Sequence, residues 1–497
     1  MLSCSQDKTS AHSGNEFTEK CGELEEGVSM SSDGKPSILL LGAHRWRRQP
    51  VVEMARTAGL EPVLLLYENE ELPSALLHIV DPSRVLRQSH EKPFSAREIS
   101  EMVMSKSDTW FVIGLDDYVC EFAAELSKYS TKRTMPPSAA RETLHKHLLR
   151  RRWNKLCQNN PLLFPVPFRF LRFSDTSFQN KIGEEEDLAL DQSRGLIVKP
   201  DALDASIGIH KAECWEQVDS AMASIRTELA ALAEDAAPIG IDVAPAVIVE
   251  QRIPRSKRLH PGAEFSAEFF SVKAKRNDLS NHSLLGITQK YIHPETFVEV
   301  AHCFPSETFP QELVDTVQHV TASLLDELQV EFGISHWEFI VCEDGRLALV
   351  EAQLRPAGDR IMDLVFRATD RNPYHMLFSA LVERGPFELP AFCARQKAAV
   401  FFPQPEYQAS GKFSIIERTD STASLAGRAY FVEPELEKDR LRWGGKVLWH
   451  SRLMSIVTEG ETFEEAKRKC EAMLPLLQLH CQTESGKCED IPLVLPI

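Results

Sequence analysis

Residues 336–355 read His-Trp-Glu-Phe-Ile-Val-Cys-Glu-Asp-Gly-Arg-Leu-Ala-Leu-Val-Glu-Ala-Gln-Leu-Arg. Asp344-Gly345 between two apolar runs predicts a β-hairpin, because this dipeptide accepts the positive φ angles of a two-residue turn. With those residues at the turn, Glu343 faces Arg346, Glu338 lies opposite Glu351, and His336 lies opposite Gln353. Period-two alternation places Trp337, Phe339, Val341, Ala348, Val350, Ala352 and Leu354 on one apolar face. On the other face, His336, Glu338, Glu351, Gln353 and Arg355 converge at the open end. Opposed side chains on a sheet have Cβ atoms about 5 Å apart, so two carboxylates there repel unless a positive charge sits between them. Carboxylate and amide oxygens suit magnesium. Arg346, Arg355 or a lysine from elsewhere could fill the same role.

Working outward, 195–200 is a short apolar strand that carries Lys199 at its end and is followed by small residues including Ser206 and Gly208. Small residues let backbone N–H groups approach an anion, and a strand-end lysine offers phosphate a point charge. No G-x-x-x-x-G-K-[ST] run occurs, so this is not a P-loop. Residues 246–253 form a β-branched run ending in Glu250-Gln251-Arg252-Ile253. In 262–269, alternation puts Glu264, Ser266 and Glu268 on one face, where they could equally solvate a sheet edge.

The 497 residues suit about three domains. Strand-like runs at 37–41, 62–67 and 109–114 suggest a small parallel α/β domain, expected over 37–138. Its first turn, Gly42-Ala43-His44-Arg45, lacks a dinucleotide fingerprint. Residues 1–36 are polar and read as a disordered leader. A basic helical segment at 139–158, with Lys146 and Arg150–Arg152, leads through a proline-rich link at 161–167 into the central region, expected to end near 390. A last α/β lobe is expected over 391–497, with strands near 398–402, 428–432 and 451–458 and a helix from 461 to about 479, capped by Thr462 and Glu465.

The net charge of −17 disfavours non-specific binding to nucleic acid or anionic lipid, so an anionic ligand needs a local basic pocket. Eleven scattered cysteines without a C-x-x-C pair suit a reducing compartment, and the cytoplasm is the expected location. No uncharged apolar stretch approaches the roughly 18 residues of a membrane span.

The order and spacing of these pieces resemble the ATP-grasp superfamily, specifically its carboxylate-amine ligases of the L-amino-acid-ligase type. The most specific stretches are 284–290, 297–305, 333–338 and 350–361. The resemblance implies an ATP-grasp fold of α/β (α+β) class, with an N-terminal parallel α/β domain, central nucleotide-binding lobes over 139–390 and a C-terminal α/β lobe. It implies that Lys146 (with Arg150 or Lys155 as alternatives) and Lys199 meet ATP phosphates, under a loop containing Ser206 and Gly208. Glu250, Gln251 and Ile253 would face adenine, and Glu264 the ribose. Glu338 and Glu351 match the magnesium carboxylates, for which Mn2+ can substitute, and Gln353 stands where the family usually has Asn. Arg355 and Lys199 would be catalytic, and His302, Lys290, Arg355 and Arg360 would bind substrate.

The activity implied is ATP-dependent joining of a carboxylate, such as an amino acid, to an amine through an acyl phosphate, releasing ADP and phosphate. A biotin-carboxylase-like or purine-pathway carboxylating enzyme, and a silent nucleotide-binding module, are the alternatives. The expected partners are small-molecule carboxylate and amine substrates, with a homodimer admissible, and neither nucleic acid nor membrane.

Overall fold

The computed structural model describes residues 34–43, 48–173, 190–202, 208–236, 246–259, 263–273, 280–293, 297–307, 309–383, 392–405, 412–417, 431–434, 454–482, 488–495 and 497. The leader expected at 1–36 lies almost wholly outside them. Strands β1 (Ser37–Leu41), β2 (Glu61–Tyr67), β3 (Val85–Gln88) and β4 (Trp110–Gly114) form a parallel sheet in the order β3-β2-β1-β4. Three of them were legible as apolar runs; β3 was not, since only four residues mark it. Alternate residues of β1 enter different cores. Ile38 and Leu40 face α1 (Gln49–Thr57), while Leu39 and Leu41 face α2 (Ala96–Met104) and α3 (Asp117–Ser127). Burial on both faces explains why these strands read as continuous apolar runs.

The basic segment forms two helices rather than one, α4 (Pro137–Leu144) and α5 (Lys146–Cys157). They break at His145, whose backbone is extended. Strands β5 (Phe168–Arg172), β6 (Leu196–Pro200), β7 (His210–Ala212) and β8 (Ala246–Gln251) form an antiparallel sheet in the order β5-β8-β6-β7. The Ala-rich helix α6 (Trp215–Ala236) covers one face through Val218, Met222 and Ile225.

Strands β9 (Glu264–Lys273), β10 (Ser280–Ile292), β11 (Glu299–Phe304), β12 (Phe332–Val341) and β13 (Leu347–Gln353) belong to an eight-stranded antiparallel sheet. Helix α7 (Gln311–Glu327) packs beside it, followed in sequence by α8 (Ile361–Thr369) and α9 (Pro373–Val382). The sheet continues through β14 (Lys397–Phe401), then, after β15 (Gln404–Pro405) and β16 (Lys412–Glu417), through β17 (Phe431–Pro434) and β18 (Met454–Gly460). The C-terminal segment therefore extends the central sheet. The helix expected over 461–479 is α10 (Phe463–Glu471), capped by the Thr462 side chain. It stops short because Pro475 cannot continue the i→i−4 ladder; the residues after it become β19 (Leu477–Gln482), paired with β16 and with β20 (Cys488–Ile491). A last strand, β21 (Leu493–Val494), pairs with β15.

The β12–β13 hairpin exists, and Glu338 does pair with Glu351 and His336 with Gln353. The route to that register differs from the expected one. Val341 pairs with Leu347, and Gly345, at φ +86°, closes a loop of Glu343, Asp344 and Gly345, one residue longer than a two-residue turn. A β-bulge at Val350 absorbs the extra residue, since Phe339 pairs with Leu349 while Glu338 pairs with Glu351. The core face is consequently Trp337, Phe339, Val341, Leu347, Leu349, Ala352 and Leu354. Ala348 instead packs with Phe164, Val166 and Cys342 on the other side, and Val350 is only partly buried.

A second bulge, between Leu284 and Gly286 in β10, brings Gly286 against the buried ring of Phe304. A Cβ there would sit 2.4 Å from Phe304 Cε2 and Cζ, and Gly286 holds φ +156°. Gly286→Ala should therefore destabilise the protein by about 1–3 kcal/mol, the usual range for overpacking. A denaturant midpoint equal to that of the wild type would show that the ring yields without cost.

Candidate active site

The site starts from a buried carboxylate. Glu250, near the end of β8, receives Arg150 of α5 through Nε at 2.8 Å and Lys199 of β6 through Nζ at 2.8 Å. Burial alone would raise the Glu250 pKa, but Arg150 and Lys199 reverse this and hold it at about 2, below its ordinary 4.5. Burial, with Arg150 and Lys146 nearby, lowers the Lys199 pKa despite Glu250. Arg150 is 1% exposed and also donates to the carbonyls of Leu349 and Val350 at the bulge. It thereby joins the smaller antiparallel sheet to the hairpin. Lys146, the first residue of α5, places Nζ 3.5 Å from Glu351 Oε1. Lys155 is exposed, so of the three cations considered for this position Lys146 and Arg150 reach the cluster.

Across the hairpin, Lys290 of β10 bonds both Glu338 and Glu299. Burial opposes its charge, but Glu299, Glu338 and Glu264 raise its pKa well above the ordinary lysine range. His336 lies between two carboxylates, with Nδ1 2.9 Å from Glu268 Oε1 and Nε2 2.9 Å from Glu338 Oε1. Although burial favours the neutral ring, Glu268 and Glu338 push its pKa up to about 10. Ser266 donates to Glu268 at 2.8 Å. The acids of β9 thus lie inside the sheet, between β12 and β10, rather than on a solvated edge. Glu264 itself is paired with Arg255 Nη2 at 2.6 Å, and burial raises its pKa.

Arg355 departs from the direction that strand alternation implies, and the other expected residues take the following places. Arg355 lies beyond the end of β13, so strand alternation no longer sets its direction; Nη2 bonds Asp117 Oδ2 at 2.6 Å, at the start of α3, and Nη1 bonds the Pro356 carbonyl. The Gln251 side chain turns to the backbone of Asp191 and Gly195, and Ile253 packs on the Phe164 cluster. Gly208, at φ +68°, has Pro200 Cγ 3.0 Å from where a Cβ would stand. Ser206 lies outside the described residues. His302 pairs across strands with Lys290. It is fully buried, and among the described residues neither ring nitrogen has a hydrogen-bond partner; Nε2 lies 3.8 Å from Glu299 and 3.7 Å from Asp359. Asp359 and Arg360 both take positive φ and lead into α8.

The sequence reading did not count Glu299, Asp359, Asp117 or Glu268 among the site residues. The first three are single acids joined to their partners only by folding, whereas Glu268 carried a signal in its alternation with Glu264 and Ser266, as His336 did in its alternation with Glu338.

Residues 192–363 match the family model for the ATP-grasp domain. The chain carries an ATP-grasp domain. Lys199, Glu250, Glu264, Lys290, Glu338 and Glu351 all fall inside that domain, and Lys146 and Arg150 enter its charge network from α5, ahead of the matched stretch. No curated protein sequence matches the chain. Its fold is similar to that of the L-amino acid ligase from Bacillus licheniformis, at a TM-score of 0.66 and 16% identity over 90% of this chain and 99% of that one. Phosphoribosylglycinamide synthetase from Anaerococcus prevotii gives 0.57 and 15%, over 89% and 99%. The biotin carboxylase domain of 2-oxoglutarate carboxylase from Hydrogenobacter thermophilus, in complex with MgADP, ADP and bicarbonate, gives 0.59 and 14%, over 92% of each. These likenesses establish the ATP-grasp fold.

The donor set fits a hard divalent cation. Glu338 and Glu351 face each other across the strands, the Gln353 amide donates from Nε2 to Glu351 Oε1 at 3.4 Å, and among the described residues the bonds to both carboxylates fall on Oε1.

Glu250→Gln should cost about 3–5 kcal/mol, because it leaves two buried cations short of their counter-charge. The pH profile checks the cause. A carboxylate with a depressed folded pKa stabilises fully above its unfolded value, so this contribution is present above about pH 4.5 and disappears as pH falls toward about 2. The thermal midpoint of Glu250→Gln should fall less steeply with pH across that window; parallel slopes would refute the assignment.

Proposed function

We propose that this protein is an ATP-dependent carboxylate-amine ligase that forms a C–N amide bond, with an amino acid as the expected carboxylate. The observation that carries the reading is the pairing of Glu338 with Glu351 at the open end of a hairpin in an ATP-grasp domain, within one charge network with Lys146 and Lys199. A magnesium ion held by Glu338, Glu351 and the Gln353 amide oxygen would supply charge neutralisation at phosphate oxygens.

This chain's own residues then have defined tasks. Lys146 and Lys199 exchange their carboxylate partners for phosphate oxygens and neutralise the transferring group. A substrate carboxylate oxygen attacks the γ-phosphorus as the bond to the β-bridging oxygen breaks, leaving ADP and an acyl phosphate. The amine nitrogen then attacks the acyl carbon and expels inorganic phosphate, which takes up the proton that the nitrogen releases. Arg355, anchored on Asp117, steadies the acceptor carboxylate. The acidic group of Glu299 and Asp359 around His302, beside Lys290 and Arg360, suits a substrate amino group. A cytoplasmic setting and division at 37–138, 139–390 and 391–497 belong to the same reading.

ADP and phosphate should accumulate only when amino acids are supplied, and mass spectrometry should find an amide product. Release that depends on bicarbonate would favour a carboxylating enzyme, and AMP with pyrophosphate would exclude the acyl phosphate route. Glu351→Gln should lower turnover by at least about 100-fold, the scale of losing a group that stabilises transition-state charge. Its polar face and partial exposure leave the fold intact; a near-normal magnesium-dependent rate would remove Glu351 from the cation site.

Arg355→Lys should lower kcat by at least about tenfold, because an ammonium cannot reproduce the guanidinium fork. Thermal midpoint and kcat measured together decide its role: an unstable variant with normal kcat assigns Arg355 to the Asp117 bridge alone.

A further inference from the structure

The end of β6 and the start of α5 meet at Asp201, two residues after Lys199 and 2% exposed. Helix α5 receives no cap from its own preceding side chain, His145. Asp201 supplies one from another element: its Oδ1 accepts the His147 backbone N–H at 2.9 Å, and its carbonyl accepts the Lys146 N–H at 2.9 Å. A carboxylate at this position also complements the positive end of the helix. The two flanking imidazoles close on the same group, with His145 Nδ1 and His147 Nδ1 each 2.8 Å from Oδ2. The His147 ring in turn packs on Phe170 of β5, at 4.2 Å between centroids. Asp201 also donates its backbone N–H to the Ala246 carbonyl, which ties it to β8.

These bonds bracket two lysines. Lys146 is the first residue of α5, so its backbone is held by the Asp201 carbonyl; Lys199 lies on the strand that delivers Asp201. We propose that Asp201 is a positioning residue for nucleotide phosphates: by locking the first turn of α5 to the end of β6, it sets the spacing between the Lys146 and Lys199 ammonium groups. The proposal rests on the reading that these lysines meet ATP phosphates. Without the clamp, α5 would be held by Arg150 one turn further on, and Lys146 would lose its fixed relation to Lys199.

A general structural role would affect every ligand alike, whereas lysine spacing affects ligands according to their phosphates. Calorimetric titration of the full-length protein with ATP, ADP and adenosine tests this. In Asp201→Asn, where the amide keeps one acceptor but loses the charge, ATP and ADP should bind about tenfold more weakly and adenosine less than about twofold, the scale of one misplaced charge-assisted contact. The double variant His145→Gln/His147→Gln alters two partly exposed rings and should show the same graded loss; it decides the matter if Asp201→Asn does not fold. Unchanged ATP affinity in these variants, or an equal loss for adenosine, overturns the proposal. Failure of the wild-type protein to bind ATP overturns the phosphate reading beneath it.

Discussion

Glu250 is the group on which the site depends. Its carboxylate is buried between Arg150 and Lys199, and a lone charge at that depth would be prohibitively costly. Each partner belongs to a different element, so satisfying Glu250 orders α5, β6 and β8 relative to one another. Arg150 carries the constraint further through its bonds to Leu349 and Val350, reaching the strand that bears Glu351. One buried acid thus fixes where two lysines and a hairpin stand.

The bulge at Val350 connects this constraint to chemistry. It breaks the regular ladder at the point where the Leu349 and Val350 carbonyls accept Arg150, so their hydrogen bonding is met from outside the strand pair. It also restores the register that a three-residue loop would otherwise shift, so that Glu338 faces Glu351. Four strands then align Thr288, Ser266, Glu338 and Glu351 in one row. At Glu338 that row meets an alternating chain of charges, from Glu268 through His336, Glu338 and Lys290 to Glu299, in which each acid has a basic neighbour.

The protein's net charge of −17 gives no hint of this arrangement. Lys146, Arg150, Lys199, Lys290 and Arg355 are all buried and paired with acids, which keeps them ordered while no anion competes for them. The pairing also sets a condition on any anionic ligand: it must offer those cations more than the carboxylates they leave.

Local rules read the amino-acid sequence far enough to predict the parallel strands, the hairpin, the apolar side of β12 and the opposition of Glu338 and Glu351. These depend on residue period and turn chemistry, both expressed within about 20 residues. The same rules misjudged the loop by one residue and the core face of β13, because a bulge is chosen by what packs on the strand and has no residue pattern of its own. The direction of Arg355 and the partners of Gln251, Glu264 and His302 were decided by tertiary structure. So was the meeting of Arg150 with Glu250, which are 100 residues apart. Charge pairs of this kind form between elements that folding brings together, and a buried acid chooses the nearest cation in space, which no spacing along the chain can name.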